Sequence, residues 1–385
     1  MKEPSAMTCS TSTQTACGPR ILFIDGLKGL CGIFVTIFHY ILAFAAFGYI
    51  GWSSGIPDAE KASFYLRYFP YSVLSNFSFP LYVFFAIIAF LPAFRFFQNK
   101  KMESIQKQGV IRYFRLLPSA LGSSLFSYAV FACGGIFSYE LGTFLNNTWV
   151  NSFYTTELSL SGALLTSVWT VFWQGFSGYN SVLWCMNIIL FGSYLSYGII
   201  FFFGTLRART LFYSVFWGIS FAFPMYTAFL GGIVAADYTV RQQDKNKSDL
   251  YSIMLVIIGL VLGAYPEVLL PPWLTVFTLY GLGACLVLMG CAQSPLLSRL
   301  LSHHWLVSAG KYSFSLILTH AVVMLSFSAW FFLVLQKHNV SYACSLILVG
   351  IASAPVLGVV TYLFDRIVEQ PTHRAVHKLY DLLCK

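Results

Sequence analysis

An acid, a base and an imidazole lie in the first long apolar segment of this chain, at Asp25, Lys28 and His39. Lys28 and His39 are eleven residues apart, close to three helical turns, so we expect them on one helix face about 16 Å apart. Ionisable side chains are costly in hydrocarbon and usually mark function. An imidazole is the most frequent general base near neutral pH. We therefore predict that His39 is a catalytic base; the alternative is a packing histidine bonded to a neighbouring helix.

Two arginines three residues apart, Arg112 and Arg115, open another apolar segment within the stretch IRYFRLLPS. This spacing puts both side chains on one helix face. Guanidinium groups bind phosphate oxygens in a bidentate manner, and a helix N-terminus adds N–H donors. The stretch therefore predicts a phosphate-binding site. The alternative is an ordinary cationic anchor at the membrane surface.

The composition is that of a membrane protein. The 385 residues are 57% hydrophobic and only 10% charged, and the mean hydropathy is +0.71, whereas soluble domains have about 25% charged residues. The net charge of +9 is typical of basic cytoplasmic loops, so we predict no nucleic-acid partner. The fold class predicted is all-α, a polytopic transmembrane helical bundle of about ten spanning helices.

The spanning helices are placed where about 20 apolar residues follow one another. They lie near 21–47, 72–97, 113–137, 181–204, 211–223, 224–238, 250–265, 273–292, 311–335 and 342–365. Pro224 marks a break between the fifth and the sixth. Residues 160–177 form a further apolar segment, which we predict to be re-entrant or interfacial.

The distribution of basic residues predicts the orientation. With both termini in the cytoplasm, only Lys61, Arg67 and Lys337 of the 23 Lys and Arg residues fall outside, which satisfies the positive-inside rule. We therefore predict a multi-pass protein of the plasma (inner) membrane. Its parts are a disordered cytoplasmic tail at 1–19, a transmembrane domain at 20–372 and a cytoplasmic C-terminal tail at 373–385.

Four short motifs occur in order over residues 20–375. They are Asp25-Gly26-Leu27-Lys28-Gly29 with His39, Arg112-x-x-Arg115-Leu116-x-Pro118, the run from Gly310-Lys311 to His320, and Glu369-Gln370-Pro371. Together they resemble the motifs of the acyltransferase-3 family of integral membrane O-acyltransferases. Many members of that family carry an additional SGNH-type domain, and this sequence is similar to those without it.

The resemblance implies transfer of an acyl group, usually acetyl, from cytoplasmic acyl-CoA to a hydroxyl group of a carbohydrate or lipid-linked acceptor. It makes acyl-CoA a co-substrate and implies neither a permanently bound cofactor nor a metal. It implies that His39 and Lys28 are catalytic, and that Arg112, Arg115 and Lys28 bind the CoA. The further candidates are Asp25, His320, Lys311 and Glu369 from these motifs, and Trp184 from a fifth, incomplete match that runs from Leu183-Trp184 through Ile189 to Gly192-Ser193.

Two positions depart from the family pattern. Lys28 stands where the family has arginine, so it lacks the planar fork. Ile189 stands where the family has glutamate, and Asn187 or Asp237 could take over its role. Loss of that acid would make the chain a catalytically impaired relative that acts in glycan export.

Two other functions are weighed against acyl transfer. A transporter or flippase could use His39 and the broken helices as a substrate path, although such proteins often carry paired discontinuous helices and this sequence has one break. His373 and His377 are four residues apart and could share a metal ion, but they lack a convincing third ligand, so we predict no metal site.

Overall fold

The computed structural model describes residues 21–45, 78–243, 248–265, 270 and 275–384. This part of the chain is 85% helix and contains no strand, which confirms the all-α class. The predicted tail at 1–19 and the placement of Lys61 and Arg67 fall outside the described residues.

The helices differ widely in length, and several short ones connect the long ones. Those before residue 204 are α1 Leu22–Phe44, α2 Ser78–Asn99, α3 Met102–Ala132, α4 Ser138–Phe144, α5 Thr148–Asn151, α6 Leu160–Trp173 and α7 Ser181–Phe203. Those after it are α8 Arg209–Ser220, α9 Thr227–Arg241, α10 Asp249–Gly263, α11 Val276–Gln293, α12 Pro295–Leu301, α13 His304–Lys337, α14 Tyr342–Phe364 and α15 Gln370–Cys384.

Six helices are long and apolar enough to cross a membrane, by length and composition: α1, α2, α7, α11, α13, and α14 with its extension. The described chain is therefore that of a helical membrane protein. The other predicted spans correspond to α3, α8, α9 and α10. Of these, α8, α9 and α10 have only 12, 15 and 15 residues, whereas α3 is long but interrupted by serines and by two arginines.

Helix α1 packs along α13 through a crossing lined by glycine. A Cβ at Gly26 would overlap the carbonyl oxygen of Leu301, and one at Gly310 would overlap that of Asp25. A Cβ at Gly29 would lie 2.6 Å from the Gly310 amide nitrogen. Small residues let helix backbones approach closely in a membrane, where van der Waals packing drives association. The first and third sequence motifs therefore meet at this crossing.

A second group of helices, α2, α9 and α11, packs in the same way. A Cβ at Gly232 of α9 would overlap the carbonyl oxygen of Ala86 on α2. Around this contact the rings of Phe85 and Phe229 stack with centroids 5.3 Å apart. The interior of this group is built almost wholly from apolar and aromatic side chains.

Three local features bear on the sequence predictions. The break at Pro224 is present, because α8 ends at Ser220 and a 3₁₀ turn begins at Pro224. The two ends of the 160–177 segment lie together, since the Tyr179 hydroxyl donates to the Ser159 carbonyl at 2.8 Å. The residues after 372, set apart in the sequence as a tail, continue the last helix to Cys384 and pack against α3.

Candidate active site

The structure brings together two histidines that are far apart in the sequence. His39 on α1 and His320 on α13 have ring centroids 4.8 Å apart. His320 is fully buried, whereas His39 is half-buried. Of the two imidazoles, that of His39 is therefore the more exposed.

Each histidine is oriented by its own helix. The His39 Nδ1–H donates to the carbonyl of Val35 at 2.7 Å, and the His320 Nδ1–H donates to that of Leu316 at 3.1 Å. A neutral imidazole whose Nδ1 carries the proton has its basic lone pair on Nε2. The Nε2 of His320 is buried without a hydrogen-bond partner among the described residues. The pair therefore combines a fixed tautomer with an unused acceptor.

The end of α1 beyond His39 is held by two side chains from other segments. The Asn147 Nδ2 donates to the carbonyls of Leu42 at 2.7 Å and Ala43 at 3.3 Å, and the Tyr342 hydroxyl donates to Phe44. The last carbonyls of a helix have no partner within the helix, so these bonds fix its terminus. The indole of Trp149, two residues after Asn147, lies 6.1 Å from the imidazole of His39.

A row of polar residues on α3 leads towards the histidines. Arg115, Ser119, Ser123 and Ser127 recur every fourth residue, and the three serines are fully buried. We call this row the α3 polar stripe; it spans about 18 Å along the helix axis. Because residues four apart share a helix face, the stripe lines one side of the bundle interior.

The middle of the α3 polar stripe contacts the backbone next to His320. The Ser123 hydroxyl donates to the carbonyl of Leu318 at 3.0 Å, and the Asn180 Nδ2 donates to the same carbonyl at 2.8 Å. Asn180 also donates to Ser123 at 2.8 Å. This network ties α3, α13 and the segment before α7 together at the level of the histidine pair.

The far end of the stripe meets the segments that follow α5 and α6. The Ser127 hydroxyl bonds the Tyr154 hydroxyl at 2.7 Å and donates to the Tyr179 carbonyl. Tyr154 has a φ of 57°, a left-handed conformation that is uncommon for a bulky residue and costly unless the surroundings impose it. Burial raises the pKa of Tyr154 to about 12, so its hydroxyl keeps its proton. A cavity of about 50 Å³ borders Tyr154 and Tyr179.

The opposite end of the stripe, which we call the basic end of the bundle, carries charge. Arg115 is exposed, with an Nη2 3.5 Å from the Nε2 of His373. The carboxyl group of Glu369 lies buried near Arg115 and Ser119. The structure therefore brings two of the sequence candidates, Arg115 and Glu369, into one cluster.

The two arginines of the IRYFRLLPS stretch lie near each other but differ in their other neighbours. Arg115 faces α15, whereas Arg112 lies towards Tyr194 and Tyr197 of α7, with its Nε atom buried and without a partner among the described residues. A separation of three residues still leaves about 60° around the helix axis. Because different helices pack on each side of α3, this angle places the two side chains in different environments.

Lys28 is not part of the histidine pair. Its Nζ bonds the Asp25 Oδ1 at 2.9 Å at the basic end of the bundle, about 16 Å along α1 from His39. Lys311 is exposed and contacts only its neighbour Tyr312 in the described structure. Trp184 packs against the apolar core. The two lysines therefore lie away from the imidazoles along their helices.

The residues weighed as substitutes for the missing glutamate have other partners. Ile189 is buried in the apolar core. The Asn187 Nδ2 donates to the Phe172 carbonyl at 2.7 Å, and Asp237 is bonded by Arg209 and Arg241. Neither side chain is therefore free to replace the glutamate that the family has at the position of Ile189.

Five residues of the site were missed in the sequence: Ser119, Ser123, Ser127, Tyr154 and Asn180. The recurrence of serine every fourth residue in an apolar segment is a signal that could have revealed the first three. Tyr154 and Asn180 lie in irregular segments, where no periodicity marks them. Among the described residues no group of three or more His, Cys, Asp or Glu side chains could hold a metal ion.

Comparison of the chain with protein-family models, curated proteins and solved structures found no match. The chemistry of the site is therefore inferred from its own geometry. Its parts are the imidazoles of His39 and His320, the α3 polar stripe, and the charged cluster at the basic end.

Proposed function

We propose that the protein is a membrane O-acyltransferase that moves an acyl group, typically acetyl, from acyl-CoA to a hydroxyl group of a carbohydrate or lipid-linked glycan. The observation that carries the proposal is the pair of His39 and His320 in the bundle interior. Buried imidazoles in a membrane protein are functional by default, and the α3 polar stripe joins them to the cations of the basic end.

His39 is the general base. Its Nδ1–H is used by the Val35 carbonyl, so Nε2 accepts the proton of the attacking hydroxyl group. The hydroxyl oxygen bonds the thioester carbonyl carbon, the C–S bond breaks, and the CoA thiolate leaves and takes the proton from the imidazolium. His320 supports the charged form of His39, because its unpartnered Nε2 is an acceptor within the same buried space.

The basic end binds the CoA part of the donor. Arg115 is exposed there and can pair with phosphate oxygens, while Arg112 and Lys28 lie deeper and act as further cations. The pantetheine arm is thin and carries amide groups, which suits a path lined by the serine hydroxyls of the α3 polar stripe. This path ends at the histidines, where the thioester meets the acceptor.

The membrane topology proposed with this mechanism has ten spans, with both termini and the basic end in the cytoplasm of the plasma (inner) membrane. In addition to the six apolar helices, α3, α8, α9 and α10 cross or enter the bilayer. The 160–177 segment is re-entrant, which the contact between Tyr179 and Ser159 supports. The acceptor reaches His39 from the outer side, next to Trp149.

The proposal is tested with purified protein in nanodiscs, measuring acetyl-CoA binding and the release of free CoA with a membrane glycan fraction as acceptor. We expect His39→Ala to bind acetyl-CoA as the wild type does and to turn it over about 10²–10⁴-fold more slowly, as for the loss of a general base. Ile37→Ala is the matched control, because Ile37 lies on α1 two residues away and is 47% exposed.

Three results would contradict the proposal. Wild-type protein that does not bind acetyl-CoA would favour a transporter or flippase instead. Turnover by His39→Ala within tenfold of Ile37→Ala would make His39 a packing residue. Wild-type protein that binds acetyl-CoA without turnover, and gains it in Ile189→Glu, would identify a catalytically impaired relative.

A further inference from the structure

A second cluster of charge lies at the basic end of the bundle, away from the candidate active site. It contains Lys100, directly after α2, Arg209 at the start of α8, and Asp237 and Arg241 near the end of α9. Three cations therefore surround one carboxylate. The acyltransferase chemistry proposed above uses none of these residues.

The carboxylate of Asp237 is already fully engaged. Its oxygens accept from the Nε and Nη2 of Arg209 at 2.9 and 2.7 Å, and from the Nε and Nη2 of Arg241 at 3.1 and 2.7 Å. Asp237 is only 3% exposed, whereas Arg241 is 41% exposed. Two bidentate pairs use the acceptor capacity of one carboxylate, so none is left for Lys100.

Lys100 is held near the two arginines, and the charge of Asp237, which attracts it, is shared with both of them. Its amide donates to the Phe96 carbonyl at 2.7 Å with a φ of 54°, and its Nζ lies 5.0 Å from the centre of the Phe97 ring. The guanidinium of Arg209 lies 5.2 Å from the centre of the same ring. Two cations thus share one aromatic surface.

The electrostatic cost of this arrangement points to an anion. Desolvation and the charges of Arg209 and Arg241 lower the pKa of Lys100, and the charge of Asp237 opposes this shift. With three cations around one carboxylate, the cluster keeps an excess of positive charge, which a further anion would reduce. Lys101 is the contrast, because it follows directly and is also exposed, yet it makes no cation–π contact in the described structure as Lys100 does. An ordinary cationic anchor would resemble Lys101.

The donors that remain fit a phosphoryl group. Lys100 offers an ammonium group with up to three donors, and Arg241 offers its remaining guanidinium nitrogen towards the exposed side. Ammonium and guanidinium groups together are the typical partners of phosphate oxygens. The cluster also lies at the ends of membrane-embedded helices, the level at which the phosphates of lipid headgroups are found.

We propose that Lys100 and Arg241 bind a phosphoryl group, supplied by an anionic phospholipid of the inner leaflet or by a soluble phosphate. Arg209 adds positive charge, but its guanidinium nitrogens already donate to Asp237 and to the Leu206 carbonyl. Asp237 orients the two arginines and is not a ligand. The bound anion neutralises Lys100 and links α2 to α9. The site is separate from the residues proposed for acyl transfer. Its occupancy by an anion is therefore measured through thermal stability and not through turnover.

The test uses the full chain in phosphatidylcholine nanodiscs at constant ionic strength, with thermal unfolding as the readout. One series adds phosphatidylglycerol to the discs and the other adds inorganic phosphate to the buffer. A ligand that binds the folded state raises the unfolding midpoint in a concentration-dependent manner. We expect Lys100→Gln and Arg241→Gln each to need about tenfold more ligand for the same shift, as for one lost charge-assisted bond.

The control is Lys101→Gln, which removes the same charge from the next residue and should behave as the wild type. A midpoint that rises with phosphatidylglycerol alone assigns the site to a lipid headgroup, and one that also rises with inorganic phosphate assigns it to the soluble anion. The proposal is overturned if neither addition shifts the wild type, or if all three variants respond as the wild type does.

Discussion

The α1–α13 crossing and the group formed by α2, α9 and α11 pack in the same way and enclose different side chains. In both, glycines allow the backbones to approach closely, at Gly26 and Gly310 in the first and at Gly232 in the second. The first encloses the imidazoles of His39 and His320. The second encloses stacked aromatic rings and has its charged cluster only at one end.

Comparing the two regions shows which of these features close helix packing requires. Glycine-lined crossings need small residues and complementary surfaces, and both regions have them. Packing alone gives no reason to bury an imidazole, because an unsatisfied buried polar group costs about 1–3 kcal/mol. The second region shows that this fold can fill such a space with apolar side chains. The polar atoms of the α1–α13 region therefore support a functional role.

The largest effect expected from this comparison is on turnover. We expect His320→Leu to lower acetyl-CoA turnover by about 10²-fold, the lower end of the range for an acid–base group. The same change should leave the unfolding midpoint equal or higher, because the buried Nε2 of His320 has no partner among the described residues. Turnover and thermal unfolding are measured on the same preparation.

Tyr82→Phe is the matched control in the second region. The hydroxyl of Tyr82 is also buried without a partner among the described residues, so its removal should leave the midpoint equal or higher as well. It should not change turnover, because Tyr82 lies in the apolar group. If both variants lost turnover equally, the proposed division between the two regions would be wrong.

The second prediction concerns the charged end of the apolar group. Asp237→Asn should lower the free energy of unfolding by about 3 kcal/mol, since loss of one partner leaves buried charge uncompensated. This loss of free energy is at the low end of the range for breaking a buried ion pair, because Arg241 is 41% exposed. Denaturant unfolding of the purified protein measures it. Glu140→Gln, an exposed acid in α4, should change it by less than about 0.5 kcal/mol, and equal effects would contradict an ion-pair role.

The sequence predicted the all-α class and the six long apolar helices, because hydropathy is a local property. His39 stood out for the same reason, as an ionisable side chain in an apolar segment. The approach of His320 to His39 could not be predicted, since it depends on which helices cross and at what height. The difference between the neighbours of Arg112 and those of Arg115 likewise depends on which helices pack on each side of α3. Asn180 lies in a short irregular segment, and only the tertiary structure places it beside Leu318.

The third prediction tests the crossing itself. Gly26→Ala should lower the free energy of unfolding by about 2–3 kcal/mol, because the new methyl group would overlap the backbone of Leu301 and force α1 away from α12 and α13. Gly350→Ala is the control, since a Cβ at Gly350 meets no atom within 4 Å. It should raise stability by up to about 1 kcal/mol through helix propensity. Similar losses in both variants would show that the crossing is not tightly packed.

The smallest effect concerns the contact that holds the end of α1 in place. Asn147 has two roles: its Oδ1 accepts from the Val150 amide at the start of α5, and its Nδ2 donates to the last carbonyls of α1. Asn147→Ala removes both and should cost about 1–2 kcal/mol of unfolding free energy. Asn147→Ser keeps an N-cap acceptor but cannot reach Leu42, so it should cost about half as much.

The same pair of variants shows how the outer segment supports His39. Trp149 lies two residues after Asn147 and 6.1 Å from the imidazole of His39, so releasing the end of α1 should change the position of His39 relative to the indole. We expect both variants to bind acetyl-CoA normally and to lose turnover by less than tenfold, with Asn147→Ala the slower. Equal turnover in Asn147→Ser and the wild type would mean that the α1 bonds contribute to stability alone. In the apolar group the corresponding contact is weaker, because the Thr227 hydroxyl of α9 lies 3.5 Å from the Phe277 carbonyl of α11, and glycine and aromatic packing fix these helices.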